Sequence, residues 1–537
     1  MTRSLLGLLR FENPVLSKDL RTRMRGTKAF LVQGFYVGVL VLVMGIMYLT
    51  WWASHRAGAS PVTVSSDLGR VVYLLIFEIQ AALVALITPA LTAGTITIEH
   101  EQRTYEMLAC TRLAPRTILT GKLLSGWLFV VMLLTCSLPL AALCLMFGGV
   151  SGAEIFWAYV MLCCSALFFG SVGVFFSALM SRSMGAVMLT YGAVGAYLIL
   201  TAITDPRYSG MLWPLNAFAF IVDPIEPIQF FSTKLPGWLP AVVILPLASL
   251  LLLNWGISRL RHFAADRAIA VRWLTAVLFV ALTFFGLGRA MSGSAPRWWG
   301  PGMPTAPIPG TPHFVVAMAA AAVLLFLAVF FVTGDRPGGR FRSLVGWMIT
   351  GLDPRRMFSN QLRGGWAYLL LLTAALAAAL KYGASLSAVD ALATFALIGA
   401  VMLACSALGA LSAALNSRAA GVALIVLMLL LTQTVPAAMW LHYGSMQPRG
   451  NGADLVHYAL YVAPWWPLSL IHRPVLEKYF PPLLLPPAAP PVWLVTTVLY
   501  LLMAAVGFGL AEMAYQLYLR RGPMTPMKQN AQVETGA

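Results

Sequence analysis

Residues 71–98 read VVYLLIFEIQAALVALITPALTAGTITI, and Glu78 is the only charged residue among them. An α-helix rises about 1.5 Å per residue, so about 20 apolar residues carry it across the hydrocarbon core of a bilayer. A run this long, with one acid, is a candidate transmembrane helix. Working outward, the same pattern recurs at Phe30–Trp52, Leu123–Phe147, Ile155–Met180, Met184–Ile203 and Leu239–Ile257. It appears again at Val271–Gly288, Phe314–Thr333, Trp366–Leu380, Ala391–Leu415, Ala419–Leu441 and Val492–Met513. The expected fold is therefore an all-α polytopic membrane protein with about 12 transmembrane helices.

Composition agrees. Hydrophobic residues fill 59% of 537 positions, charged residues only 10%, and mean hydropathy is +0.80. Ordinary soluble domains carry about 25% charge. Lipid-facing surface accounts for the excess apolar side chains. The formal charge of +17 raises nucleic acid as a partner. The basic residues, however, sit in short connectors between apolar runs, where membrane topology explains them; no nucleic-acid partner is expected. The six cysteines (Cys110, Cys136, Cys144, Cys163, Cys164, Cys405) lie in or beside apolar runs without metal-like spacing. The first 28 residues hold seven Lys/Arg and lack the continuous apolar core of a signal peptide.

With the N-terminus inside, cytoplasmic segments hold 26 of the 36 Lys and Arg residues. Anionic inner lipids and the membrane potential both favour positive charge there. Both termini are expected in the cytoplasm, with the chain in the cytoplasmic (inner) membrane.

The two halves echo each other. Pro115-Arg116 and Gly126-Trp127 match Pro354-Arg355 and Gly365-Trp366; Ala178-Leu179-x-Ser181-Arg182-x-x-Gly185 matches Ala414-Leu415-x-Ser417-Arg418-x-x-Gly421; Trp213-Pro214-Leu215 matches Trp466-Pro467-Leu468. Three ordered matches, each at the same place relative to the apolar runs, point to duplication. Six runs per copy is an even number, so the copies form two parallel six-helix repeats. The expected division is 1–265, 266–521 and a cytoplasmic tail, 522–537.

Two inner segments carry candidate function. The first is residues 13–25, NPVLSKDLRTRMR. Pro14 suits a helix start. Leu16, Leu20 and Met24 stand four apart on one face, with Lys18, Arg21 and Arg25 on another, as in a helix lying among lipid headgroups. The second is residues 97–122, TIEHEQRTYEMLACTRLAPRTILTGK. Glu99, Glu101 and Glu106 cluster at one helix end beside basic residues and a short apolar motif. That surface is too mixed for lipid and too short for a domain, so a soluble partner is expected to grip it.

This second stretch resembles the inner loop of type-2 ABC exporter permeases. Thr104, Glu106, Leu108, Thr111, Leu113, Pro115, Arg116, Ile118, Leu119, Gly121 and Lys122 fit that pattern, and residues 13–25 resemble the family's N-terminal elbow helix. Where the family usually has glycine before Thr104, this chain has Arg103. The resemblance is strong over 11–260 and weaker beyond. It implies a fused double-length permease whose loop between the second and third helices couples to cytosolic ABC ATPase subunits, in a dimer. Glu99, Glu101, Arg103, Thr104, Glu106, Arg116 and Lys122 would form the contact surface. It also implies a hydrophobic insertion at the outer face, a position held by Trp213–Phe231. The counterpart loop Gly334–Gly365 keeps Pro354-Arg355 but holds only Asp335 and Asp353 as acids, so coupling is expected to be asymmetric.

No phosphate loop is visible. Gly121-Lys122 comes closest, but Arg116 stands where the first glycine belongs and Leu123 replaces Ser/Thr. The chain is expected to bind no cofactor itself, ATP and Mg²⁺ acting through the partner. No catalytic grouping and no metal site is expected either: the seven histidines are scattered without ligand spacing. Glu78 is a candidate for a substrate path, or a residue nearer the outer interface. Glu512 is expected at the inner interface. Trp213–Trp238 and Pro464–Pro491 read as an aromatic belt or a re-entrant lid.

Two other classes compete. A gradient-driven major-facilitator carrier shares the plan of two parallel sixes, and Gly334-Asp335-Arg336-Pro337-Gly338-Gly339-Arg340 resembles its loop signature, with Phe331 where glycine belongs. A membrane enzyme or scaffold would need acids or histidines clustered at one interface, and only Glu99–Glu106 offers that.

Overall fold

A computed structural model of the chain describes residues 13–25, 27–54, 61–104, 114–203, 227–230, 233–260, 268–291, 365–383, 388–414 and 492–520, with a few isolated positions besides. The elements are α1 (Pro14–Met24), α2 (Thr27–Ser54), α3 (Pro61–Thr92), α4 (Thr97–Glu101), α5 (Pro115–Cys136), α6 (Leu138–Phe147), α7 (Gly152–Leu179) and α8 (Ser183–Ile203). A hairpin of β1 (Pro227–Phe230) and β2 (Thr233–Pro236) follows, then α9 (Leu239–Leu260), α10 (Ala268–Met291), α11 (Gly365–Gly383), α12 (Ala388–Ala414) and α13 (Val492–Arg520).

Among the described residues, six helical stretches are long and apolar enough to cross a membrane: Gly69–Glu101, Pro115–Phe147, Gly152–Leu179, Leu239–Ile257, Ala388–Leu411 and Leu494–Ala514. Phe30–Ile46, Ser183–Ile199, Ala270–Phe285 and Trp366–Tyr382 are shorter apolar helices. Phe30, Leu31 and Phe35 on α2, and Met184 and Met188 on α8, are largely exposed. Water would penalise such faces, whereas lipid does not. The chain is a helical, membrane-embedded protein. Ten of the twelve expected crossings fall on these helices; Phe314–Thr333 and Ala419–Leu441 lie almost wholly outside the described residues, as do the loop Gly334–Gly365, Pro464–Pro491 and the tail 522–537.

The chain divides into two compact units, Met1–Thr305 and Ala306–Ala537. In the first, α7 is central and packs against α3, α5, α8 and α9. The seventh apolar run, α10, packs here too, against α9 and β1. The core includes Phe77, whose ring lies 4.8 Å from Tyr73 and 5.0 Å, edge-on, from Tyr159, together with Leu133, Leu134 and Phe169. Helix α7 starts on a capping sequence, Ser151-Gly152-Ala153-Glu154, with Ser151 Oγ accepting from the Glu154 amide at 3.2 Å. Toward its C-terminal end α7 comes so close to α3 that a Cβ on Gly173 would collide with Thr92 Oγ1 and stand 3.1 Å from the Ala93 amide nitrogen. In the second unit α12 packs against both α11 and α13.

The hairpin departs from the all-helical expectation. It lies within Trp213–Trp238, pairing Pro227 with Pro236 and Phe230 with Thr233. Both residues at its open end are prolines, which donate no hydrogen bond, and the ladder stops there. Trp238, just after it, stacks on Trp157 of α7 with centroids 3.7 Å apart. Tyr73 Oη donates to the Ile221 carbonyl and Tyr197 Oη to the Leu215 carbonyl, at 3.3 and 2.6 Å, so α3 holds Ile221 and α8 holds Leu215.

Candidate functional site

The site is built around the short helix α4. Pro89 removes one backbone donor near the end of α3, and Gly94 follows. The chain turns over Ala93–Ile96 before helix resumes at Thr97. A helix start leaves amides without helical acceptors. Here the amides of Ile96 and Thr97 both donate to Ser177 Oγ of α7, at 2.8 and 3.2 Å. The group is fully buried, so a lost acceptor would leave two bare donors.

Lys122 of α5 makes the second attachment. Its Nζ donates to the Thr95 carbonyl at 2.8 Å and to Glu99 Oε1 at 2.6 Å. The lysine side chain is 5% exposed and that of Glu99 27%. Glu101 makes the third: its carboxylate accepts from the amide and hydroxyl of Ser183 at 2.7 and 2.9 Å, capping the N-terminus of α8. These bonds from Ser183, with Arg182 nearby, hold the exposed Glu101 carboxyl below the usual carboxylate range. Because the folded value is lowered, the cap contributes fully above the ordinary carboxyl range and fades as pH falls through the lowered value.

Three helices thus grip one helical turn by polar bonds. The turn is nevertheless exposed on its outer side: Arg103 and Thr104 are exposed, as are His100, Glu101 where it bonds Ser183, and Arg116 on the first turn of α5. Glu106 lies outside the described residues. Lys122 and most of Glu99 face inward and brace this surface from behind.

Arg103 takes a left-handed backbone, φ 57°, at the position where the exporter-like pattern has glycine. Such a conformation strains a residue that has a Cβ. Arg103→Gly is expected to leave stability unchanged or raise it by up to about 1 kcal/mol, the relieved strain offset by added chain entropy. Arg103→Val, branched at Cβ, is expected to cost about 1–2 kcal/mol. Thermal unfolding of the two variants in nanodiscs reads the difference.

Helix α1 lies against α5 and is fastened at both ends. Asn13 caps it, Oδ1 accepting from the amides of Val15 and Leu16, while its Nδ2 donates to the Thr117 carbonyl at 2.9 Å. Arg23 donates to the Leu91 carbonyl, at the end of α3, at 2.9 Å. Val15 and Leu16 are buried; Lys18, Arg21 and Arg25 are exposed, and so is Met24. The apolar face thus divides, Leu16 going to protein and Met24 outward. Glu78 is half-buried on α3, far along the helix from α4; it is not brought together with the loop residues. Glu512 on α13 accepts from Gln516 Nε2 at 2.7 Å.

Ser177, Ser183 and Thr95 are the members of this site that sequence reasoning passed over. Ser177 sits one residue before the repeated Ala178-Leu179 motif and Ser183 within it, the only signal that marked them. Among the described residues, no three His, Cys, Asp or Glu side chains gather as a metal site. No protein-family model matches the chain, and no curated protein matches it in sequence.

Proposed function

We propose that the chain is the membrane-spanning permease of an ATP-driven exporter of the type-2 ABC kind, worked by separate cytosolic ATPase subunits. The observation that carries this reading is the attachment of α4: one turn of helix, open on one side, bonded on the other to α5, α7 and α8. A push on the open side reaches three long helices at once, as a coupling element requires. Exposed Glu101, Arg103, Thr104 and Arg116 offer mixed charges and hydrogen-bonding groups to a soluble partner. Tight bonding of Lys122 to Thr95 and Glu99 makes that surface stiff rather than yielding. The resemblance of residues 97–122 to exporter coupling loops supplies the rest. In this reading the fused chain spans the inner membrane about twelve times as two parallel six-helix repeats, with both termini cytoplasmic. Nucleotide-driven closure of the ATPase dimer rocks the helices, and ATP and Mg²⁺ stay with the partner.

The test is purification of the full chain from its native membrane, with assay for vanadate-sensitive ATP hydrolysis in the complex. Charge reversal at Arg103 and Arg116 together is expected to lower that activity at least tenfold while the chain stays folded. Glu101→Gln, which keeps an acceptor for Ser183, separates loss of the α8 cap from loss of contact. Unchanged hydrolysis on charge reversal, or a purified chain with no associated ATPase, overturns the assignment.

A further inference from the structure

A second polar group lies in the apolar core of the first unit, at the end away from α4. Gln80 of α3 is completely buried, and neither Oε1 nor Nε2 makes a hydrogen bond. Its amide lies beside the Tyr159 hydroxyl of α7. Tyr36 of α2, 1% exposed, brings a hydroxyl that also makes no hydrogen bond, next to Ser137 and Tyr159. Ser137 stands at the junction of α5 and α6 and donates to the Leu134 carbonyl at 2.7 Å. Its proton is thereby used, so the contact at 2.9 Å with Tyr159 has the tyrosine as donor. What remains open is a balanced set: two N–H donors and a carbonyl on Gln80, one donor and one acceptor on Tyr36, and an acceptor on Tyr159.

An uncompensated buried amide costs several kcal/mol in a hydrocarbon setting. Four helices converge polar groups here, where leucine would fill the same space. The set carries no formal charge. Glu78 is two positions from Gln80, about 200° around the helix, and so faces elsewhere. A cation would find no counter-charge and an anion no basic partner. A group that both donates and accepts suits all three residues.

We propose that Gln80, Tyr36 and Tyr159 form a binding site for one neutral hydroxyl-sized group, either a water molecule or the hydroxyl of a small uncharged organic molecule. The site does not depend on the permease reading. It makes the α2–α3–α7 contact a hydrated junction, able to exchange its occupant when those helices part.

Two measurements on the full chain in lipid nanodiscs test this. Gln80→Leu is expected to lower the melting temperature by roughly 2–4 °C, and Tyr36→Phe to add less in the Gln80→Leu background than alone, since both act through one occupant. An amide that truly lacks a partner predicts the reverse sign, so a raised or unchanged melting temperature overturns the site. In solid-state NMR of glutamine-labelled protein, the Gln80 side-chain amide, assigned by its loss in Gln80→Leu or Gln80→Met, is expected to show a cross-peak. A cross-peak to water identifies water as occupant, and one to carbon-bound protons of a co-purified molecule identifies an organic hydroxyl. Absence of both overturns the proposal, whatever the melting data show.

Discussion

Replacing Lys122 with alanine is expected to cost the folded chain roughly 2–3 kcal/mol. The ammonium lies almost wholly inside protein and holds two acceptors, the Thr95 carbonyl and Glu99. Its removal leaves the Glu99 carboxylate without its cation, and the Thr95 carbonyl, in the turn between α3 and α4, without a donor. Partial exposure of Glu99, 27% at the side chain, keeps the cost below that of a fully buried pair. Removing both charges should therefore recover much of it: Lys122→Met with Glu99→Gln is expected within about 1 kcal/mol of the parent. Lys122→Arg is not expected to rescue, because the planar guanidinium does not fit where a compact ammonium reaches two acceptors. Equilibrium unfolding in mixed micelles gives the coupling energy. Equal losses for the single and double variants would show that Lys122 acts by packing alone.

A larger effect is expected at Gly173. Even alanine there meets Thr92 Oγ1 and Cβ and approaches the Ala93 nitrogen. A threonine side chain turns away at modest cost, but backbone does not. Gly173→Ala should lose about 2–3 kcal/mol, and Gly173→Leu should prevent the folded state from accumulating. Thr92→Gly combined with Gly173→Ala removes the side-chain part of the collision and should restore some of the loss. Detergent-resistant yield and thermal unfolding read the series. The consequence goes beyond packing, since Thr92 is the last residue of α3 before the chain turns into α4. A wedge at Gly173 pries at the base of the proposed coupling element. Full stability of Gly173→Leu would mean that α3 and α7 are not in this contact.

Much of this architecture is visible in hydropathy, because lipid imposes one period and one minimum length on every crossing. The apolar runs from residue 30 to 257 coincide with α2 to α9 in all but their ends. What hydropathy hides is polar bonding between helices. Lys122 reads as a surface charge beside a glycine, yet it is folded beneath α4. Ser177 carries no sequence signal beyond its place just before the repeated Ala178-Leu179 motif, because a serine in an apolar helix is ordinarily a small packing residue. The β-hairpin was equally hidden: prolines and aromatics in Trp213–Trp238 mark a break in helix without specifying what replaces it. Arg103 is the informative exception. Arginine in place of the glycine of the exporter-like pattern left the geometry of contact open, and the backbone there is left-handed.

The bonds that hold α4 also set an order of events during synthesis. Lys122 follows Glu99 by 23 residues, while Ser177 and Ser183 follow their partners by 80 to 82. At ribosomal rates of about 5–20 residues per second, roughly 4–16 s pass between emergence of α4 and arrival of its last two clasps. Through that interval the nascent turn keeps bare amides and an uncapped carboxylate, so insertion factors meet it in an unfinished form. A late helix, α7, completes an early one.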